Sequence, residues 1–177
     1  MTDVHVVLLG LLIKKPLYGY EIKHIIEDHM GDWTDIKFGS IYFALGKLDH
    51  EGKVAVDREV KGGKRPARRV YRITDKGREE YFRLLRGLWT RKDRAMYPLD
   101  IALFFIDSLP KGEVEEYIRQ NIGAYRQALV YIEKHEKEQL SNEHVPRQAK
   151  YIFGHSKTHM KAELEWLEKV LADMESG

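Results

Sequence analysis

At 177 residues, 43% hydrophobic and 33% charged, the chain is long enough for one good core or for a small domain with an extension, and its composition is that of an ordered protein. The absence of cysteine excludes disulfides and thiolate metal sites, and the longest early apolar run, residues 6–13, is too short to span a bilayer and has its lysines after it, so a cytoplasmic protein without membrane association is expected. The formal net charge is only +2, but residues 1–97 carry 20 Lys and Arg against 14 Asp and Glu while residues 98–177 carry 10 against 14, so a polyanion, if bound, meets the first half.

Thr2 is a candidate N-cap for a first helix carrying Val4, Val7, Leu8, Leu11 and Leu12, and Lys14, Lys15 and Pro16 end it. The turn Pro16-Leu17-Tyr18-Gly19 leads into a second helix with Ile22, Ile25, Ile26 and Met30 on one face, closed by Gly31. A loop through Trp33 joins it to the stretch that organises the chain, residues 39–52. There Ile41, Ala44, Leu45 and Leu48 recur at helical spacing, which turns Tyr42, Phe43, Gly46, Lys47 and His50 away from the core. Ser40 is placed to cap this third helix, and Gly52 suits the left-handed residue that stops one. The outward face is small, hydroxylated and singly basic, without the alternating charges of a merely solvated helix. Three short helices of which the last presents such a face form a helix-turn-helix pattern.

Residues 54–60 and 68–73 are β-branched or aromatic runs of strand length, and the glycines and proline of residues 61–67 mark a turn between them. Arg58, Lys61, Lys64, Arg65, Arg68, Arg69 and Arg72 crowd this hairpin against a single acid, Glu59. Such density beside a helix with a contact face suits phosphate neutralisation and minor-groove insertion. Three helices and a basic hairpin make a winged helix.

Thr74-Asp75-Lys76-Gly77 starts a fourth helix that carries Tyr81, Leu84, Leu85 and Leu88 to about Trp89. The cluster Arg91-Lys92-Asp93-Arg94 is a candidate linker. Pro98 opens an apolar segment, residues 99–106, too dense for a surface helix unless something covers it. Two long helices follow. The first, about residues 111–140, carries Val114, Ile118, Ile122, Tyr125, Leu129 and Ile132; the second, about residues 146–174, carries Ile152, Phe153, Met160, Leu164, Leu167 and Leu171. One antiparallel pair cannot bury stripes about 40 Å long with an apolar segment left over, so packing against a second copy is expected.

The residues Leu9-Gly10-Leu11-Leu12, Pro16-Leu17-Tyr18-Gly19-Tyr20-Glu21-Ile22, Gly39-Ser40-Ile41-Tyr42 followed by Ala44-Leu45 and Leu48, and Tyr71-Arg72-Ile73-Thr74 with Gly77 resemble the PadR family of bacterial transcriptional regulators in order and spacing. The C-terminal part is similar in length and pattern to the helical dimerisation domain of the larger PadR subgroup, also found in virulence-gene activators. The resemblance implies a mainly α protein with a small β-hairpin: an N-terminal winged helix-turn-helix domain, residues 1–97, and a C-terminal long-helix, coiled-coil-like dimerisation domain, residues 98–177. It also implies a homodimeric repressor that binds double-stranded DNA at an inverted repeat and answers to a small aromatic effector. By position, Ser40, Tyr42 and Lys47 match recognition-helix residues, and Lys64, Arg65, Arg68 and Arg69 fall in the wing. Phe43 departs from the proline usual after the tyrosine, Gly46 from a long polar or basic residue, and Val70 from an aromatic beside Tyr71.

Other chemistries find little footing. Gly62-Gly63-Lys64 lacks the glycine and the hydroxyl of a phosphate loop, with Arg58 and Arg65 in their places. His155 and His159 are four apart on a helix, but Ser156 stands where a zinc protease would have its glutamate, and solvent-facing histidines are the expectation. With no nucleophile elbow, dinucleotide fingerprint or metal-binding Asp cluster, no enzyme activity, cofactor or metal is expected. Trp89, Tyr97, Phe104, Phe105, Tyr117, Tyr125 and Tyr131 concentrate where the two halves should meet. They fill either the junction and dimer core or an effector pocket.

Overall fold

The computed structural model describes residues 2–62, 65–92, 95–143 and 145–176, with the backbone alone at residue 2 and across 59–62 and 65–68. The chain divides into two compact units, residues 1–94 and 95–177.

The first unit runs α1 (Thr2–Leu12), β1 (Leu17–Tyr18), α2 (Gly19–Met30), α3 (Phe38–His50), β2 (Val54–Gly62), β3 (Arg65–Ile73) and α4 (Asp75–Thr90). Its core is built as the apolar spacing requires: Leu8, Leu9 and Leu12 of α1 meet Ile22 and Ile26 of α2, Ile41, Leu45 and Leu48 of α3, and Val54 at the start of β2. Each such side chain taken from water contributes about 1.5–3 kcal/mol before the entropy of ordering it. On α1 the buried set includes Val6 and Leu9, outside the expected stripe, while Val7 and Leu11 are only partly covered. This helix is wrapped on more than one side.

Three local expectations are corrected. The expected turn at residues 16–19 contains β1, whose Leu17 and Tyr18 pair antiparallel with Tyr71 and Val70 of β3, giving a sheet of order β1-β3-β2. The hairpin strands run further toward each other than the turn residues suggested, with Gly62 opposite Arg65 and a register shift between Val60 and Gly62. Pro66 lies in that shifted stretch, well away from the two β3 residues that β1 reaches, and irregular strand of this kind tolerates a residue without an N–H. Gly31, after α2, has right-handed φ −60°, whereas Gly52 after α3 is left-handed at φ +69° as expected.

At Gly52 the chain makes a Schellman stop: Gly52 N–H donates to the Asp49 carbonyl at 2.9 Å and Lys53 N–H to that of Leu48 at 2.8 Å. Thr74 then fastens the start of α4 to this corner. Its hydroxyl accepts from Gly77 N–H at 3.1 Å and lies 2.8 Å and 3.0 Å from the Gly52 and Lys53 carbonyls, and its own N–H donates to Lys53 at 3.1 Å. Gly77 is required by this closeness, because a Cβ there would lie 1.9 Å from the Lys53 carbonyl oxygen.

The second unit holds α5 (Pro98–Phe104), a 3-10 turn (Ile106–Ser108), α6 (Lys111–Leu140) and α7 (Ala149–Ser176). The last helix begins three residues after the expected start at 146. The two long helices pack antiparallel around Ile118, Ile122 and Leu167. Ion pairs set their register: Arg119 with Glu175 at 2.6 Å, Arg126 with Glu168 at 2.7 Å, Lys161 with Glu133 at 3.9 Å, and Lys157 with Glu136. The first three recur every seven residues on both helices, the interval that returns a side chain to one seam. No helix of the described residues is long and apolar enough to cross a membrane.

Candidate nucleic-acid interface

The third helix carries the face that the sequence singles out. Ile41, Ala44, Leu45 and Leu48 are all buried, while Tyr42, Phe43, Gly46, Lys47 and His50 are exposed. The role expected of Ser40 as a cap is corrected: α3 begins at Phe38 after Lys37, and Ser40 lies within its first turn with its hydroxyl donating to the Lys37 carbonyl at 2.6 Å. That bond leaves the oxygen's lone pairs free to accept.

Tyr42 is 40% exposed, and its position is built by α2. A Cβ at Gly19 would come within 2.9 Å of the Tyr42 ring, so a larger residue there would require the ring to shift from its place against the start of α2. Phe38 meets the same ring edge-on at 5.1 Å, and Lys23 of α2 sits over Phe38 at 4.9 Å. The start of α2 is itself ordered by Glu21, which accepts from Tyr18 N–H at 2.7 Å.

Lys47 projects from the next turns, 3.9 Å from Glu51. Behind it, Lys53 bridges Glu51 at 2.7 Å and Glu80 of α4 at 3.0 Å, and Arg83 holds the other side of Glu80 at 2.6 Å. The Arg83 hydrogen bond, followed by that from Lys53, pulls the Glu80 carboxyl down to about 2. His5 of α1 borders the same cluster; its own burial, then Lys47, lowers its imidazole below the ordinary value. The base of α3 is thus pinned to α4 by opposite charges, with His5 bordering the cluster.

In the hairpin, Arg58, Arg69 and Arg72 are exposed, and Arg72 lies 3.5 Å from Asp57. Burial raises the Tyr71 phenol, an effect opposed by Arg69 beside it, while Asp49 and Tyr42 of α3 add to the rise. Tyr71 therefore stands between the wing and the third helix. Of the expected wing residues, Arg65 and Arg68 lie on β3 with only their backbone described, and Lys64 lies outside the described residues. Sequence reasoning missed the Gly19–Tyr42 contact, the Phe38 edge and the Lys53–Glu80 tie; the glycine at position 19, beside Tyr18 and Tyr20, was the one signal available.

Of the aromatic residues expected to line a pocket or a core, Phe104 and Phe105 meet edge-on at 5.0 Å. Trp89 of the first unit is exposed, as are Tyr97, Phe104, Phe105, Tyr117 and Tyr131 of the second, whereas Tyr125 is partly covered. A hollow of about 400 Å³ opens on the α6–α7 pair and is lined by Arg119, Ile122, Arg126, Glu168, Leu171 and Glu175 among others, with none of these aromatics. His155 and His159 bring their Nε2 atoms to 3.2 Å. Among the described residues no group of three or more His, Asp or Glu could hold a metal ion.

Residues 8–83, from within α1 to within α4, match the Transcriptional regulator PadR-like family. The negative transcriptional regulator PadR of Bacillus subtilis (strain 168) is 24% identical over 171 residues, covering 93% of each chain. The crystal structure of Bacillus subtilis PadR in complex with operator DNA is similar with a TM-score of 0.78 at 24% identity, over 98% of both chains. That of Bacillus subtilis PadR with p-coumaric acid gives 0.76 at 21% identity, over 98% of this chain and 97% of that one. The likeness takes in the long helices of the second unit as well as the first. The family match lies on the three helices and the hairpin that build the outward α3 face, and the chain is similar over nearly its whole length to a PadR transcriptional regulator.

Proposed function

We propose that this chain is a homodimeric repressor that binds an inverted-repeat operator in double-stranded DNA and releases it when a small aromatic effector binds. The observation that carries the reading is the pairing, in one unit, of an outward α3 face with an adjoining hairpin on which Arg58, Arg69 and Arg72 are exposed. Ser40, Tyr42 and Lys47 contact base edges and adjacent phosphates in the major groove, and Lys64, Arg65, Arg68 and Arg69 hold the backbone from the wing. Residues 98–177 pair with a second copy and set the half-site spacing. The apolar surface that α5 to α7 leave uncovered supports that assignment. Effector control is supported by the p-coumaric acid complex of the Bacillus subtilis relative. The effector must favour the arrangement that does not fit DNA, since equal affinity for both shifts nothing. On this reading the protein is a cytoplasmic regulator, not an enzyme, and needs no cofactor.

The test is a fluorescence-anisotropy titration against the DNA upstream of its own gene and against a scrambled duplex, over a salt series. The expected result is a preference on the order of several hundredfold or more with a steep salt slope. Lys64→Ala and Arg65→Ala should each flatten the slope of log affinity on log salt by about one unit and weaken all sequences alike, while Tyr42→Ala should harm the specific site more. Weak binding equal on every duplex, including those enriched from random DNA, would sink the reading. A thermal-shift panel of phenolic and planar compounds tests the effector.

A further inference from the structure

The outward line of α3 has a composition that folding does not explain. Gly39, Phe43 and Gly46 are spaced four and three apart, so they lie along one line of the helix opposite the Ile41, Ala44, Leu45 and Leu48 stripe. Phe43 is 67% exposed. Its neighbours Phe38 and Tyr42 lean on one another, but Phe43 stacks on no other ring among the described residues. A large apolar ring in this position gains little from the protein's own core.

The two glycines beside it are equally unexplained by the fold. A Cβ built at Gly39 or Gly46 meets nothing within 4 Å, so no internal neighbour demands a small residue. Gly52 is the only glycine with positive φ among the described residues, so the backbone at both sites is one that alanine adopts. Glycine nevertheless weakens a helix relative to alanine. Two such residues on the exposed line of a 13-residue helix disfavour the helix without a structural return. What they supply is clearance: the backbone on either side of Phe43 can come close to a surface that the ring touches first.

We propose that Phe43 reads the C5-methyl groups of thymine in the major groove, with Gly39 and Gly46 admitting the helix backbone to the depth this contact needs. The inference rests on the DNA-binding reading above and adds to it the group recognised. Phenylalanine brings no hydrogen-bond donor or acceptor. Thymine's methyl is the apolar group on the major-groove edge of the base pairs, and an apolar side chain is its natural partner. The half-site should therefore contain thymines whose identity is sensed without a hydrogen bond, beside the positions met by Ser40, Tyr42 and Lys47.

The experiment uses the full-length protein and an operator duplex taken from its upstream region or selected from random DNA. Single thymines are replaced by deoxyuridine, which keeps the Watson–Crick pairing and removes only the methyl. Wild type should lose about fourfold in affinity at one or two thymines per half-site, the worth of one apolar carbon withdrawn from contact. Phe43→Ala should bind the parent duplex as weakly as wild type binds the deoxyuridine duplex, and should show no further loss on that duplex. Phe43→Leu, which keeps an apolar side chain, should retain part of the sensitivity. Gly46→Ala should melt no lower than wild type yet bind the operator more weakly. Equal wild-type affinity for every deoxyuridine duplex, or a full deoxyuridine penalty in Phe43→Ala, would overturn the proposal. Failure of wild type to prefer any operator over the scrambled duplex would instead overturn the DNA-binding reading, and this inference with it.

Discussion

The two units solve the problem of burying apolar surface in opposite ways. In the first, sixteen buried residues from all four helices and all three strands form one cluster. In the second, two helices of 30 and 28 residues bury five of the described residues between them, Ile118, Ile122, Ile132, Phe153 and Leu167, with Ile101, Phe104, Phe105, Val130 and Tyr151 exposed. A unit that completes its own core can leave selected side chains outside for recognition. A unit that does not complete one leaves apolar surface outside, which on the proposed reading a second copy covers. An exposed aromatic thus has a different meaning in each: Phe43 on α3 is a ring set between two glycines, whereas Phe104 on α5 belongs to an apolar run.

The sharpest way to break this contrast is Leu45→Ala, which empties a fully buried site where α3 meets the common core. It should lower unfolding free energy by about 2–5 kcal/mol in urea titrations, and a loss under about 1 kcal/mol would mean that the core is not jointly held. Next, Gly77→Ala drives a methyl into the Lys53 carbonyl and should cost about 1–3 kcal/mol by the same measurement. Glu80→Gln removes the charge between Lys53 and Arg83 and should cost about 1–2 kcal/mol at pH 7, solvent at the exposed Arg83 having weakened the pair. Because the folded-state carboxyl is held near 2, below its ordinary 4.5, this contribution is present above the ordinary value and is lost as pH falls from there toward 2. Stability curves of wild type and Glu80→Gln should therefore converge over that window; a constant gap would remove the ion pair from the explanation. Smallest is Val130→Ser, on exposed surface of α6. It should leave unfolding of the dissociated chain within about 0.5 kcal/mol of wild type. Sedimentation over a concentration series should nonetheless show weaker self-association, and unchanged association would take Val130 out of the dimer surface.

Periodicity made α3 legible because its four inward residues and its outward ones have different chemistry at every turn. The same signal found α2, α4 and the two long helices. It missed β1, since a strand of two residues has no period and exists only through its pairing with Val70 and Tyr71. It placed Ser40 as a cap because a hydroxyl in the first turn can bond the backbone in either direction, and here it donates back to Lys37. The Gly19–Tyr42 contact lies between residues 23 positions apart, beyond any local pattern. The register of α6 on α7 was present in the charges, with Arg119, Arg126 and Glu133 facing Glu175, Glu168 and Lys161, but such a ladder becomes visible only once the two helices are known to be partners.

Thr74 joins three pieces of chain at one point: the stop of α3, the first residue before β2 and the cap of α4. With Lys53 tied to Glu80 beside it, the contact helix and the base of the hairpin share one anchorage. They behave as two prongs of a fork with a single handle. Tilting one prong alone would break hydrogen bonds and an ion pair at that joint, so the low-cost motion is to swing the whole fork. On the proposed reading, a signal from the effector therefore has no need to distort the surface that meets DNA: changing the distance or angle between two forks is enough to make one of them miss its groove.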